Sequence, residues 1–185
     1  MAQPPRINIC IFCGSRHGNS PAFAQVARET VGEVAARGYG IVYGAGNVGI
    51  MNEVAEAAIA EGVYIVGVIP RHLMGREVGH TGLSELHIVE DMLERKALMA
   101  ERSDAFVALP GGLGTYDEIF EMLTWEQLEI HDKRCGVVNV DGYFDPLYAL
   151  IEGAVSGGFV REQHADLLKF DVLPGRLLDT LVPTS

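Results

Sequence analysis

Residues 104–115 read Asp104-Ala105-Phe106-Val107-Ala108-Leu109-Pro110-Gly111-Gly112-Leu113-Gly114-Thr115, and a helical pattern runs on from there to about Ile130. A short apolar run, a glycine-rich turn and a long amphipathic stretch spell strand, turn and helix as they follow one another in a parallel sheet. Outward from this stretch the alternation repeats. Residues 7–13 read as a strand and 14–19 as a loop, after which Ser20-Pro21 opens a helix with an N-cap and a proline at the first position. That helix stops at Gly38. Residues 39–43 form a second strand, followed by a glycine turn and a helix over 49–61. Residues 63–69 form a third strand, closed by Pro70. Residues 71–85 are the least regular; 86–90 read as a short strand and 91–102 as a helix. Residues 136–140 are a sixth strand, 143–156 another helix, and the tail is expected to be helical in short pieces.

Such alternation implies right-handed crossovers and a sheet covered on both faces. The expected fold is α/β: a Rossmann-like three-layer arrangement, a parallel sheet flanked by helices on both faces, as a single domain over residues 1–185. In open sheets of this kind ligands bind at the carboxyl ends of the strands. The loops after strands one, two, four and five are therefore the ones to weigh.

Composition narrows the ligand. The formal net charge is −11, which repels phosphate backbones and anionic lipid, so neither nucleic acid nor membrane is an expected partner. A small phosphorylated molecule is still admitted, because a few local donors overcome a negative global field. No apolar run approaches the ~20 residues that span a bilayer, and residues 1–6 lack the pattern of a signal peptide, which points to the cytoplasm. Cys10 and Cys13 have redox-motif spacing, but they lie three apart on a strand. They should diverge to opposite faces, and no second Cys/His pair completes a metal site.

Three stretches carry candidate chemistry. Gly44-Ala45-Gly46-Asn47-Val48-Gly49 matches G-x-G-x-x-G but follows the second strand, and no acidic residue stands where a dinucleotide ribose would need one. Its favoured reading is a turn whose missing side chains let a nucleotide come close. Gly111, Gly112 and Gly114 clear space before a helix that Thr115 starts, where free N–H groups and the helix dipole favour a phosphate. The bland alternative is that Thr115-x-x-Glu118 is a capping box needing no ligand. Glu94-Arg95-Lys96 near a helix start reads, on composition, as solvated charge paired with Asp91 and Glu94. What lifts it is the expectation that its helix follows a strand whose end lies beside the Pro110–Thr115 turn.

Pro110-Gly111-Gly112-Leu113-Gly114-Thr115-Tyr116-Asp117-Glu118 resembles the PGGxGTxxE motif of the LONELY GUY (LOG) family of cytokinin-activating phosphoribohydrolases, many of which carry an older lysine decarboxylase-like label. Phe12-Cys13-Gly14-Ser15, Val42-Tyr43-Gly44-x-Gly46, Gly67-Val68-Ile69-Pro70, Arg95-Lys96-x-x-Met99, Thr124-Trp125-x-Gln127-Leu128, Asn139-Val140-x-Gly142-Tyr143 and Gly158-Phe159 are similar to further family blocks, in order. The resemblance implies hydrolysis of a nucleoside 5′-monophosphate, a cytokinin riboside 5′-monophosphate or AMP, to free base and ribose 5-phosphate. It also implies a homodimer or larger homo-oligomer and no cofactor or metal. Arg95 and Glu118 would be the catalytic pair, and Glu77 and Thr124 further substrate contacts. Ala45 and Asn52 stand where the family usually has glycines, Leu93 where it has histidine, and Tyr116-Asp117 where it has Leu-Glu.

The residues can run that chemistry. Cleaving an N-glycosidic bond builds positive charge on the ribose, which a carboxylate stabilises. Gly111, Gly112, Gly114 and Thr115 would anchor the phosphate, with Lys96 a second contact, and Ser15 and Gly46 lie on loops the base or ribose could pass. Two other readings compete. A non-catalytic nucleotide sensor or carrier would keep the phosphate loop and lose the Arg95–Glu118 pair. A decarboxylase would need pyridoxal phosphate on one of three lysines, Lys96, Lys133 or Lys169.

Overall fold

The computed structural model describes residues 4–74 and 82–183. Among the described residues seven strands form one wholly parallel sheet in the order β4-β3-β2-β1-β5-β6-β7. They are β1 (Asn8–Phe12), β2 (Gly40–Tyr43), β3 (Ile65–Pro70), β4 (Glu85–Val89), β5 (Ala105–Ala108), β6 (Cys135–Val138) and β7 (Leu168–Asp171). The helices are α1 (Pro21–Ala36), α2 (Gly49–Ala60), α3 (Met92–Glu101), α4 (Leu113–Gln127), α5 (Asp145–Ser156), α6 (Glu162–Ala165) and α7 (Pro174–Leu181).

The central strands are apolar on both faces because both are roofed by helices. Ile9, Ile11 and Cys13 join one core with Val26 of α1, Ile50 of α2 and Leu177 of α7. Cys10 and Phe12 point the other way, into a core with Met99 of α3, Met122 of α4 and Leu147 of α5. Both cysteines are buried and unpaired, as the strand reading requires. This is the Rossmann-like three-layer fold. The chain order reverses between β1 and β5, where Ile9 pairs with Gly40's neighbour Ile41 on one side and with Ala105 on the other. That switch point opens the crevice in which such sheets bind ligands.

The tail departs from expectation. Residues 168–171 are not helical but form edge strand β7, with Leu168 opposite Cys135. The stretch Leu168-Lys169-Phe170-Asp171 alternates apolar and polar, as a half-covered edge strand should, but four residues are too few to stand out. Among the described residues no helix is long and apolar enough to cross a membrane.

Because Cys10 and Cys13 lie on opposite faces, mild oxidation should form no bridge between them. Thiol titration in denaturant should return three free thiols per chain before and after treatment. A loss of two thiols without intermolecular cross-linking would contradict the assigned faces.

Candidate active site

The crevice at the β1/β5 switch holds a cavity of about 220 Å³ lined by Ser15, Gly44, Arg95, Thr115 and Glu118 among others. Separate segments of the chain converge on it, each for a local reason.

The turn after β5 supplies the first wall. Gly112, not Thr115, is the N-cap of α4, and no side chain caps it. The first backbone bond of the helix runs from Tyr116 N–H to Gly112 O (3.2 Å), so the earlier amides have no intrahelical acceptor. This overturns the capping-box alternative. Thr115 is the third helical residue and only 3 % exposed, its Oγ1 has no hydrogen-bond partner, and Glu118 lies a turn further on. Gly111 must be glycine here, since a Cβ would fall 2.1 Å from Thr115 Oγ1 and 2.8 Å from the Gly14 nitrogen.

Helix α3 supplies the cation, though not from beside the turn as expected: β4, which it follows, is an edge strand with β3, β2 and β1 between it and β5, and the long Arg95 side chain reaches the crevice past Gly44. Asp91 and Glu94 do not pair with the Arg95-Lys96 couple. Asp91 Oδ1 accepts from Glu94 N–H (2.9 Å) and Glu94 Oε2 accepts from Glu90 N–H (2.8 Å), which closes the helix start. Arg95 is then free to turn inward, and it is 6 % exposed rather than solvated. Its Nη2 donates to the Gly44 carbonyl (2.8 Å), its Nη1 faces Met92 Sδ (3.7 Å), and its Nε has no partner. Lys96 goes elsewhere. It bridges Asp117 and Glu121 on α4, away from the cavity.

The glycines of the turn after β2 serve the protein's own packing. A Cβ on Gly44 would sit 1.9 Å from Arg95 Nη2. One on Gly46 would meet Met51 Cε at 2.4 Å, and one on Gly49, where φ is +59°, would strike the Arg16 nitrogen at 2.2 Å. The expected close approach is therefore made at Gly44 by a guanidinium, and Gly46 is not on the cavity wall. From sequence, Gly44 belongs to this turn but Gly46 is the residue singled out for the site. Ala45 occupies a left-handed conformation (φ 58°), and its methyl fits because β3 carries Gly67 opposite, where a Cβ would come within 2.8 Å.

Glu118 faces Arg95 across the cavity, and no ion pair closes between them. Burial pushes its carboxyl up to about 7, against the opposing pull of Arg95, with Asp117 adding to the rise. A group poised there can give or take a proton near neutrality.

Of the remaining candidates, Gly112 and Gly114 line the same cavity, whereas Gly111 lines a neighbouring one with Ser15 and Tyr143. Thr124 is exposed on α4, donating to Phe120 O (2.7 Å), and is not on the cavity wall. Glu77 lies outside the described residues. Among the described residues no three His, Cys, Asp or Glu side chains gather as a metal would require. None of Lys96, Lys133 and Lys169 lines the cavity, so nothing there is placed to form a Schiff base; Lys133 and Lys169 bond backbone carbonyls.

Fold and site together define a Rossmann-like protein whose switch-point crevice offers an uncapped helix start, a buried arginine and a raised carboxylate to a small anionic ligand. The family model described as "Possible lysine decarboxylase" matches residues 51–181. A protein of Oryza sativa subsp. japonica named "Probable cytokinin riboside 5′-monophosphate phosphoribohydrolase" is 49 % identical over 83 % of this chain and 69 % of its own. A cytokinin riboside 5′-monophosphate phosphoribohydrolase of Arabidopsis thaliana is 45 % identical over 82 % of this chain and 71 % of its own. This chain belongs to the LONELY GUY (LOG) family. Among solved structures, a molybdenum cofactor carrier protein of Chlamydomonas reinhardtii superposes with a TM-score of 0.72, at 18 % identity over 98 % of this chain and 100 % of that one, a likeness of fold.

The Gly44–Arg95 contact makes a non-additive pair. Gly44→Ala and Arg95→Ala should each lower stability in urea unfolding, and the double variant should be no worse than the poorer single one by more than about 0.5 kcal/mol. Fully additive losses would mean that the two residues do not act on one another.

Proposed function

We propose that this chain hydrolyses the N-glycosidic bond of nucleoside 5′-monophosphates, cytokinin riboside 5′-monophosphate and AMP among them, to free base and ribose 5-phosphate. The observation that carries the reading is that Arg95 and Glu118 face one cavity together with the uncapped start of α4. The amides of Gly112 and Gly114 and the Thr115 hydroxyl hold the 5′-phosphate, aided by the helix dipole. Anchoring of this kind binds ground and transition states alike, so it lowers KM and raises kcat/KM.

In the reaction the C1′–N bond breaks with its electron pair leaving on the base, and a water oxygen bonds to C1′. Glu118 as carboxylate stabilises the oxocarbenium-like ribose and takes the proton of that water, which balances the N–H of the released base. Arg95 keeps the carboxylate ionised against burial and donates to the phosphate or sugar. Lys96, neutralising Asp117 and Glu121, limits the negative charge that would hold a proton on Glu118. A carrier would have no use for a carboxyl poised in this way.

The working unit is a cytoplasmic homodimer, with residues 1–185 as a single domain. Support comes from the family resemblance and from apolar side chains left exposed on α3, at the start of α4 and just past its end, namely Leu93, Leu113, Leu128 and Ile130.

Base release from AMP and from N6-isopentenyl AMP, followed by chromatography with the matching nucleosides as controls, tests the reading. Release from the monophosphates alone is expected; no release from any of them, in protein that binds nucleotide, would favour a carrier. Glu118→Gln and Arg95→Ala should abolish turnover in folded protein.

Glu118 also gives the pH dependence a sign. Its carboxyl is protonated below about 7, so kcat/KM should fall as pH drops through that value. A rate flat between about pH 6 and pH 8 would remove Glu118 from the chemistry. Stability runs oppositely. The native state holds this proton more tightly than the unfolded chain, so wild-type stability declines as pH rises from the ordinary carboxylate range to about 7. Glu118→Gln should therefore be more stable than wild type at pH 8, by on the order of 1–2 kcal/mol, with the gap closing in acid. A stability loss at pH 8 would return Glu118 to a structural role.

A further inference from the structure

The segment Asn139-Val140-Asp141-Gly142-Tyr143 follows β6 and takes no part in the reaction described above. Its geometry is nonetheless tightly specified. Asn139 Oδ1 accepts from Phe144 N–H (2.7 Å) and its Nδ2 donates to Asp145 Oδ1 (2.7 Å). Asp141 and Gly142 both take left-handed backbone (φ 51° and +69°), and Tyr143 N–H closes the turn on Val140 O (3.0 Å). Three local constraints thus converge on the direction in which Tyr143 leaves the chain.

The Tyr143 ring is clamped edge-on between Phe23 (5.3 Å between centroids) and Phe144 (5.0 Å). Its hydroxyl donates to the Gly111 carbonyl. The Tyr116 hydroxyl of α4, where the family usually has leucine, stands close to that of Tyr143, and burial together with this neighbour helps it keep its proton. The aromatic pair therefore reaches the phosphate turn from behind, through the neighbouring cavity of about 300 Å³ that Tyr143 shares with Gly111 and Gly112.

Gly111 and Gly112 are joined by a trans peptide, in which C=O and N–H point in opposite directions. A Gly-Gly peptide is also the one most free to rotate as a unit. Gly111 has to be glycine because Thr115 and Gly14 crowd its Cα, so the turn cannot be stiffened by a side chain of its own. We propose that Tyr143 is a positioning residue for the anion site: by holding the Gly111 carbonyl on its own side, it aims the Gly112 N–H at the cavity lined by Thr115 and Glu118. Tyr116, whose hydroxyl stands close to that of Tyr143, supports this orientation from α4. This inference rests on the phosphate-anchored reading above.

The test is calorimetric titration of the whole protein with ribose 5-phosphate, alongside AMP kinetics and thermal melts, for wild type, Tyr143→Phe and Tyr116→Phe. Tyr143→Phe keeps the ring and removes the donor, so its Kd for ribose 5-phosphate and its KM for AMP should both rise about tenfold. Its kcat should stay within about threefold of wild type, because a weakened anchor that serves ground and transition states alike shows in KM. Tyr116→Phe should move Kd and KM the same way by a smaller factor, and it decides the matter if Tyr143→Phe does not fold. Unchanged Kd and KM in a folded Tyr143→Phe, whatever its melting temperature, would overturn the proposal. So would a fall in kcat with KM and Kd untouched. A tenfold change in Kd in a protein that releases no base would uphold the role of Tyr143 while removing the hydrolase reading.

Discussion

A guanidinium buried against a backbone carbonyl is the constraint on which the rest of the site depends. Arg95 is almost wholly removed from solvent, yet among the described residues it closes no ion pair with a carboxylate. A buried charge without a counter-ion is costly, and proteins retain one where it serves a purpose. Here the cost is met by the Gly44 carbonyl and by the long-range field of Glu118, and it purchases a site that a small anion would complete. Gly44, Arg95 and Glu118 form one electrostatic unit, although β2, α3 and α4 contribute them separately.

That unit explains the unusual state of Glu118. Burial raises its carboxyl and Arg95 restrains the rise, leaving it near neutrality rather than far above it. Lys96, which is drawn away to Asp117 and Glu121, works on the same balance from outside the cavity. The two adjacent cations therefore have different tasks. One is turned inward because Asp91 and Glu94 are occupied in capping α3, and the other is held outward by the carboxylates of α4.

Much of the fold was legible in the sequence, because a parallel sheet roofed on both faces writes its strands as continuous apolar runs separated by helical periods. Residues 7–13 and 104–109 are such runs, and the opposite facing of Cys10 and Cys13 followed from period two alone. Strand β7 was missed because an edge strand of four residues carries too little pattern. In the site, the glycines of residues 111–114 marked the turn that opens α4, and Gly112 and Gly114 line the cavity. The glycines of residues 44–49 signalled a close approach without saying what approaches. Only coordinates show that Arg95, Met51 and the loop after β1 do so. The burial of Arg95 was likewise hidden, because adjacent charges on a helix read as surface until their capping partners are seen.

The strand order carries a consequence for how the protein acquires its site. The crevice exists only where β1 has paired with β5, and these strands are far apart in the chain, with three strands and three helices between them. Contacts of such long range close late and slowly, since loop-closure entropy is paid before they reward it. A nascent or partly refolded chain can hold α4 and α3 as local structure and still lack any cavity between them. Ligand binding is thus coupled to a long-range pairing, and a bound nucleotide would stabilise the contact that holds the two halves of the sheet together.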